Sequence, residues 1–221
     1  MPMLNDDVRE QVKQQLANLT NPVRLLMFTQ EFECQYCAET RQLVEEVASL
    51  SNQLTAEIYD FVADEDVVNK YDIDKIPAVA ITGAGGDAER EDAGIRFYGI
   101  PSGYEFTSLL DAIQTVSRGE PELSEEMQAY LSELSGPIHM QVFVTPTCPY
   151  CPQAVVLAHH MALASPMVRA DMVEAQEFPH LSTKYQVMGV PRTVINESIH
   201  IEGAAAEPMV LEKLQQALGE G

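Results

Sequence analysis

Positive charge is scarce in this chain. Thirteen lysines and arginines, only five of them lysine, face 34 aspartates and glutamates over 221 residues, for a net charge of −21. So acidic a surface repels phosphate backbones and anionic headgroups, which argues against nucleic acid or an anionic membrane as partner. No segment approaches the ~20 consecutive apolar residues that a membrane-spanning helix needs. The opening Met1-Pro2-Met3-Leu4-Asn5-Asp6-Asp7 has acids where a secretory leader carries basic residues and an apolar run, so the chain reads as cytoplasmic. Few lysines and many glutamines are also a poor match to a hyperthermophile's composition. Cysteine is equally sparse, four in all, and in a reducing compartment such cysteines are more often catalytic or metal-binding than permanent staples.

All four fall in two copies of one motif, Cys34-Gln35-Tyr36-Cys37 and Cys148-Pro149-Tyr150-Cys151, offset by 148 − 34 = 114 residues. The same offset relates Lys70-Tyr71-Asp72-Ile73-Asp74-Lys75-Ile76-Pro77 to Lys184-Tyr185-Gln186-Val187-Met188-Gly189-Val190-Pro191, so each second cysteine precedes a proline by 40 residues. One module has been duplicated. The length suits two cores of about 100 residues each.

Each half gives the same element order. In the first, Asn5 caps a helix with Val8, Val12, Leu16 and Leu19 at helical spacing, and Val23 to Phe28 reads as a buried strand entering Cys34. A helix from Cys37 to about Leu50, a strand over Thr55 to Phe61 and a short helix from Asp64 to Tyr71 follow. Pro77 introduces a strand from Ala78 to Thr82, Gly83 to Gly86 turn the chain, and Ile95 to Gly99 return antiparallel. Ser102 and Glu105 form a capping box for the closing helix. The second half repeats the plan from a Ser124-capped helix, through strands at Ile138 to Val144, Arg169 to Glu174, Arg192 to Ile195 and Ile199 to Glu202. Its last helix starts at Glu207-Pro208 and offers Met209, Leu211, Leu214 and Leu218 for packing.

Two cysteines three apart at the mouth of a helix suit dithiol chemistry. Their side chains share a face, and unpaired N–H groups with the positive end of the dipole favour thiolate, which can lower a thiol pKa from about 8.5 to roughly 3.5 to 7.5. Cys34 and Cys148 are therefore the expected attacking thiols, exposed, with Cys37 and Cys151 resolving the mixed disulfide. Pro149 suits the first helical position. Pro77 and Pro191, in cis, would turn the backbone of Ile76 and Val190 toward the sulfurs to pair with a substrate strand. Tyr36 and Tyr150 would touch the partner peptide.

This arrangement resembles the thioredoxin-like fold, and Cys148-Pro149-Tyr150-Cys151 is similar to the glutaredoxin form of its motif. Two such units in tandem, each with an extra N-terminal helix, resemble the glutaredoxin-like protein disulfide oxidoreductase family over nearly the whole chain. The resemblance implies an α/β fold of two thioredoxin-fold units, 1–118 and 119–221, each a central mixed four-stranded sheet flanked by helices. It implies an enzyme that reduces, oxidises or isomerises protein disulfides, with the C-terminal site the more active. No metal and no cofactor beyond the redox-active disulfides is implied. Partners would be protein disulfides or dithiols and an upstream reductant such as a thioredoxin reductase-like flavoprotein. The layout also resembles the N-terminal region of the flavoproteins of alkyl hydroperoxide reductase systems, an electron relay for peroxide reduction, in which the first unit typically lacks its redox pair. A holdase whose groove matters more than its thiols is the alternative from another class.

The two sites differ in charge. Glu31, Glu33 and Glu39 flank the first pair, whereas Leu134 to Val168 contain no formally charged residue with histidine neutral. Nearby carboxylates oppose a thiolate, so Cys34 is expected to ionise at higher pH than Cys148 and to pass electrons onward to it. A zinc ribbon would hold its cysteine pairs about 15 to 20 residues apart, and here 110 residues separate Cys37 from Cys148. His159 and His160 read as surface or packing residues.

Overall fold

The computed structural model describes residues 2–83 and 92–219. The glycine turn expected at Gly83 to Gly86 lies, past Gly83, outside the described residues. Asn5 accepts the Val8 amide and so starts α1 (Asp6–Leu16) as its sequence indicates. An apolar run makes β1 (Val23–Thr29), buried almost throughout because it is a central strand. Next come α2 (Cys37–Ala48), β2 (Leu54–Asp60), α3 (Glu65–Lys70), β3 (Ala78–Gly83), β4 (Ile95–Tyr98) and α4 (Glu105–Arg118). The second half repeats the order with α5 (Glu125–Ser132), β5 (Ile138–Val144), α6 (Cys151–Ala164), β6 (Val168–Glu174), α7 (Pro179–Lys184), β7 (Arg192–Ile195), β8 (Ile199–Glu202) and α8 (Glu207–Leu218).

The two four-stranded halves, β2-β1-β3-β4 and β6-β5-β7-β8, do not stay separate. Parallel pairing of β4 with β6 joins them into one eight-stranded sheet. One register row crosses all of it: Tyr59, Phe28, Ala78, Tyr98, Val173, Phe143, Arg192 and Glu202. One face of the sheet is covered by α1, α2, α4, α5, α6 and α8, the other by α3 and α7. Across the join, α4 packs on α6, where Asp111 and Thr115 meet His160. On the opposite face Arg169 binds the buried Asp171, the exposed Asp72 and the Tyr98 hydroxyl, so a partly buried polar network crosses the join as well. His159 and His160 are thus buried in the seam between halves. Burial pulls His159 down to about 4, leaving it neutral.

Two expected details differ. The capping box is absent: Ser102 contributes only its carbonyl to the Glu105 amide, and Tyr104 is the residue before the helix. Gly103 lies against Pro146 with φ +62, and its chain neighbour Tyr104 donates its amide to the Pro146 carbonyl, so the chain is committed there before the helix can begin. In α8, Met209 faces solvent and Val210 takes the inward place beside Leu211 and Leu214.

Candidate functional site

Strands β1, β2, β4, β5 and β6 run the same way, so their C-terminal ends share one edge of the sheet. The last row there runs from Asp60 and Thr29 through Pro77 and Gly99 to Glu174 and Val144, ending at Pro191 and Gly203. Both cysteine loops leave from this edge, one after β1 and one after β5. Each proline opens the antiparallel strand next to its own loop. The peptide bonds Ile76–Pro77 and Val190–Pro191 are both cis, as expected.

Cys34 is disulfide-bonded to Cys37 and Cys148 to Cys151, with Cα atoms 5.5 Å apart in each pair. The helices begin at the second cysteine of each pair, α2 at Cys37 as its periodicity suggests, so the leading cysteines precede the helix rather than open it. Pro149 therefore precedes α6, and Pro152 takes the first-turn place where a missing N–H costs little. Cys34 and Cys148 sit in the turn just ahead of the helix, Cys37 and Cys151 buried behind them. The expectation of exposure fails for Cys148, which is only 8 % exposed because the chain around Val190 covers it, its Sγ 3.8 Å from the Val190 carbonyl oxygen. Cys34 is half-buried. Tyr150 is 69 % exposed, Tyr36 half-buried with its carbonyl accepting from Thr40; Ile76 and Val190 are half-buried, and Pro77 and Pro191 buried.

The first loop has one residue more than the second, and the chain absorbs it at Glu33, which adopts φ +59. Beside Cys34 opens a cavity of about 560 Å³ lined by Thr29, Glu31, Arg41, Asp60 and Asp64, among others. Asp60 accepts the amides of Ala63 at 2.8 Å and Val62 at 2.9 Å, which hold its carboxyl below the usual range. Glu174 is its counterpart, 174 − 60 = 114 residues on, and likewise accepts a turn amide, from Glu177. Burial reverses the outcome there and raises the Glu174 carboxyl.

Sequence reasoning read Glu105 only as a cap and passed over Glu177. Glu105 is buried where α4 enters its packing against α6, one residue from the contact with Pro146. Its Oε2 accepts the Ser108 hydroxyl while Oε1 has no partner, and burial raises the carboxyl to about 7. Glu177 accepts the Ile100 amide across the seam; burial, with Glu174 and Glu39 nearby, raises it to about 7. Only the seam between halves buries these acids, which no local pattern announces.

From β1 to β5 is four strand steps, roughly 19 Å at about 4.8 Å per strand. The four sulfurs therefore do not converge on one centre, and the two pairs are too far apart to exchange directly. Among the described residues no group of three or more histidine, cysteine or acidic side chains is arranged to hold a metal, and no helix is long and apolar enough to cross a membrane.

Residues 138–216 match the thioredoxin domain family. A protein disulfide oxidoreductase from Aeropyrum pernix superposes with a TM-score of 0.89 at 29 % identity, covering 97 % of this chain and 94 % of that one. The N-terminal domain of the alkylhydroperoxide reductase AhpF from Enterococcus faecalis gives 0.86 at 30 % identity, covering 96 % and 99 %. An NADH dehydrogenase of Bacillus subtilis is 25 % identical over 99 % of this chain, which spans 38 % of that protein's length.

Proposed function

This chain belongs to the thioredoxin-fold disulfide oxidoreductase family, and on that premise we propose that it exchanges two electrons with partner proteins through Cys34–Cys37 and Cys148–Cys151. One observation carries the reading: in each half a Cys-x-x-Cys disulfide at a helix start lies on the same sheet edge as its strand-opening proline, with Cys148 Sγ against the Val190 carbonyl. In the reducing direction Cys148 thiolate attacks a partner disulfide, forming a mixed disulfide and expelling the partner's other sulfur as thiolate. The partner segment pairs with the backbone at Ile76 or Val190 and rests on Tyr36 or Tyr150. Cys151 then loses its proton and attacks the Cys148 sulfur, releasing the reduced partner. Glu105, buried one residue past the Tyr104 amide that binds Pro146 of that loop and with one oxygen unpartnered, is the group we assign to accept the proton. A thioredoxin reductase-like flavoprotein in the cytoplasm restores the dithiols, and residues 1–118 and 119–221 act as the two redox units.

The likeness to the N-terminal domain of AhpF favours a second reading, an electron relay to a peroxide-reducing protein. Both readings are tested by Cys37→Ser and Cys151→Ser variants, which cannot resolve a mixed disulfide. Capture of varied cellular proteins supports general exchange, and capture of a peroxidase alone supports the relay. If neither variant traps any protein, both readings fail.

A further inference from the structure

The two leading sulfurs face different surroundings. Cys34 forms part of the wall of a cavity whose charges are Glu31, Asp60, Asp64 and Arg41. Asp60 is tied to the Val62 and Ala63 amides and Asp64 to the Asp60 amide at 2.7 Å, so neither carboxylate can swing away. Arg41 is engaged at 2.9 Å by Glu45. The cavity is thus net negative next to a sulfur that reacts with disulfides. Phe32, 78 % exposed, lies on the loop leading to Cys34, and Val62 is exposed just past Asp60. These apolar side chains suit the methylene stem of a lysine or arginine whose head meets the carboxylates. Around Cys148 the loop residues Pro146, Thr147, Pro149 and Tyr150 carry no charge, and the neighbouring acids Glu105 and Glu174 are buried rather than open to a partner, unlike the carboxylates that line the cavity at Cys34.

We propose that the Cys34–Cys37 pair selects cationic disulfides, meaning partner cysteines flanked by lysine or arginine, while Cys148–Cys151 has no such preference. The proposal rests on the exchange reading above and names the substrate class of its first site. Cys34 thiolate attacks one sulfur of the partner's S–S bond, a Cys34–partner S–S bond forms, and the other partner sulfur leaves as thiolate and takes a proton. Cys37 gives up its proton and displaces the remaining partner sulfur, closing the Cys34–Cys37 disulfide. Two electrons have passed from this chain to the partner, and a dithiol reductant replaces them.

The test isolates each site in the full chain: Cys148→Ser/Cys151→Ser leaves the first pair, Cys34→Ser/Cys37→Ser the second. Each is reduced with dithiothreitol, desalted and oxidised by cystamine, which carries two ammonium groups, or by dithiodiglycolate, which carries two carboxylates. Comparing the cystamine to dithiodiglycolate rate ratio between sites removes the intrinsic reactivity of the probes. At low salt the ratio should be about tenfold larger at the first site, should shrink toward that of the second near about 0.5 M salt, and should fall in Glu31→Gln/Glu33→Gln. Equal ratios at both sites, or a ratio unmoved by salt and by those substitutions, overturn the selectivity and leave exchange standing. A first pair that reacts with neither probe while the second does also overturns it. Inertness of both pairs overturns the exchange reading itself.

Discussion

At the scale of single residues, the buried acids set the pH response. Glu105 and Glu177 hold their protons up to about pH 7 when folded, against an ordinary value near 4.5. The folded chain binds those protons more tightly, so this part of the stability is full below about pH 4.5 and is lost as pH rises through 7. For Glu105 the loss is at most about 3 kcal/mol. Melting temperature should decline from pH 5 to pH 8, and Glu105→Gln should flatten the decline; an unchanged slope would mean the carboxyl is ionised in the fold. The same variant should slow release of partner at the second pair on the order of 10²-fold while sparing the first, read by single-turnover kinetics in the isolated-site variants. Glu33 holds a left-handed backbone that glycine adopts without penalty. Glu33→Gly should therefore raise stability by about 1 kcal/mol, a few degrees in melting temperature for a chain of this size. Iodoacetamide alkylation against pH should find Cys34 ionising above Cys148; the reverse order would contradict the charge argument.

At the scale of elements, much was legible because strands and helices write their periods locally. The runs Ile138 to Val144, Arg192 to Ile195 and Ile199 to Glu202 were read to the residue, and the second half's alignment on the first supplied the rest. Helix starts were legible where a cap or a proline marks them, at Asn5, Ser124 and Glu207-Pro208, and less so elsewhere. Cys-x-x-Cys is compatible with a helix beginning at either cysteine, and the turn that delays it depends on contacts from outside the motif. The capping-box error at Ser102 and Glu105 has the same origin: the pattern of letters was right, but Gly103 and Tyr104 are held by Pro146, a residue of the other half. A Cβ at position 103 would lie 2.2 Å from the Pro146 carbonyl oxygen, in a backbone region that side chains rarely adopt. Gly103→Ala should accordingly cost on the order of 2 kcal/mol and disturb Cys148–Cys151 more than Cys34–Cys37. Equal exchange rates at the two pairs would show that this contact does not position the second loop.

For the molecule as a whole, the join of the halves was the part the sequence hid. Duplication predicts two sheets, and nothing in the pattern of β4 or β6 distinguishes a paired edge from a free one. For that reason the sequence left His159 and His160 open between surface and packing and gave no sign of Glu177, and the seam buries both histidines. Arg169 spans the join, and Asp171, fully buried, is held well below the usual carboxylate range despite its burial, by His139 and Arg169. Arg169→Ala strands that charge, an effect of about 3 to 5 kcal/mol, and should lower the melting temperature by on the order of 10 °C. A loss of only a degree or two would mean that His139 alone suffices. The continuous sheet has one more consequence. Because the paired cysteines stand on a common rigid border, the gap between them cannot be closed by any swing of one half on the other. Electrons leaving one couple can reach the other only aboard a second molecule, so crossover in a purified solution obeys collision kinetics: doubling the protein should quadruple its initial velocity.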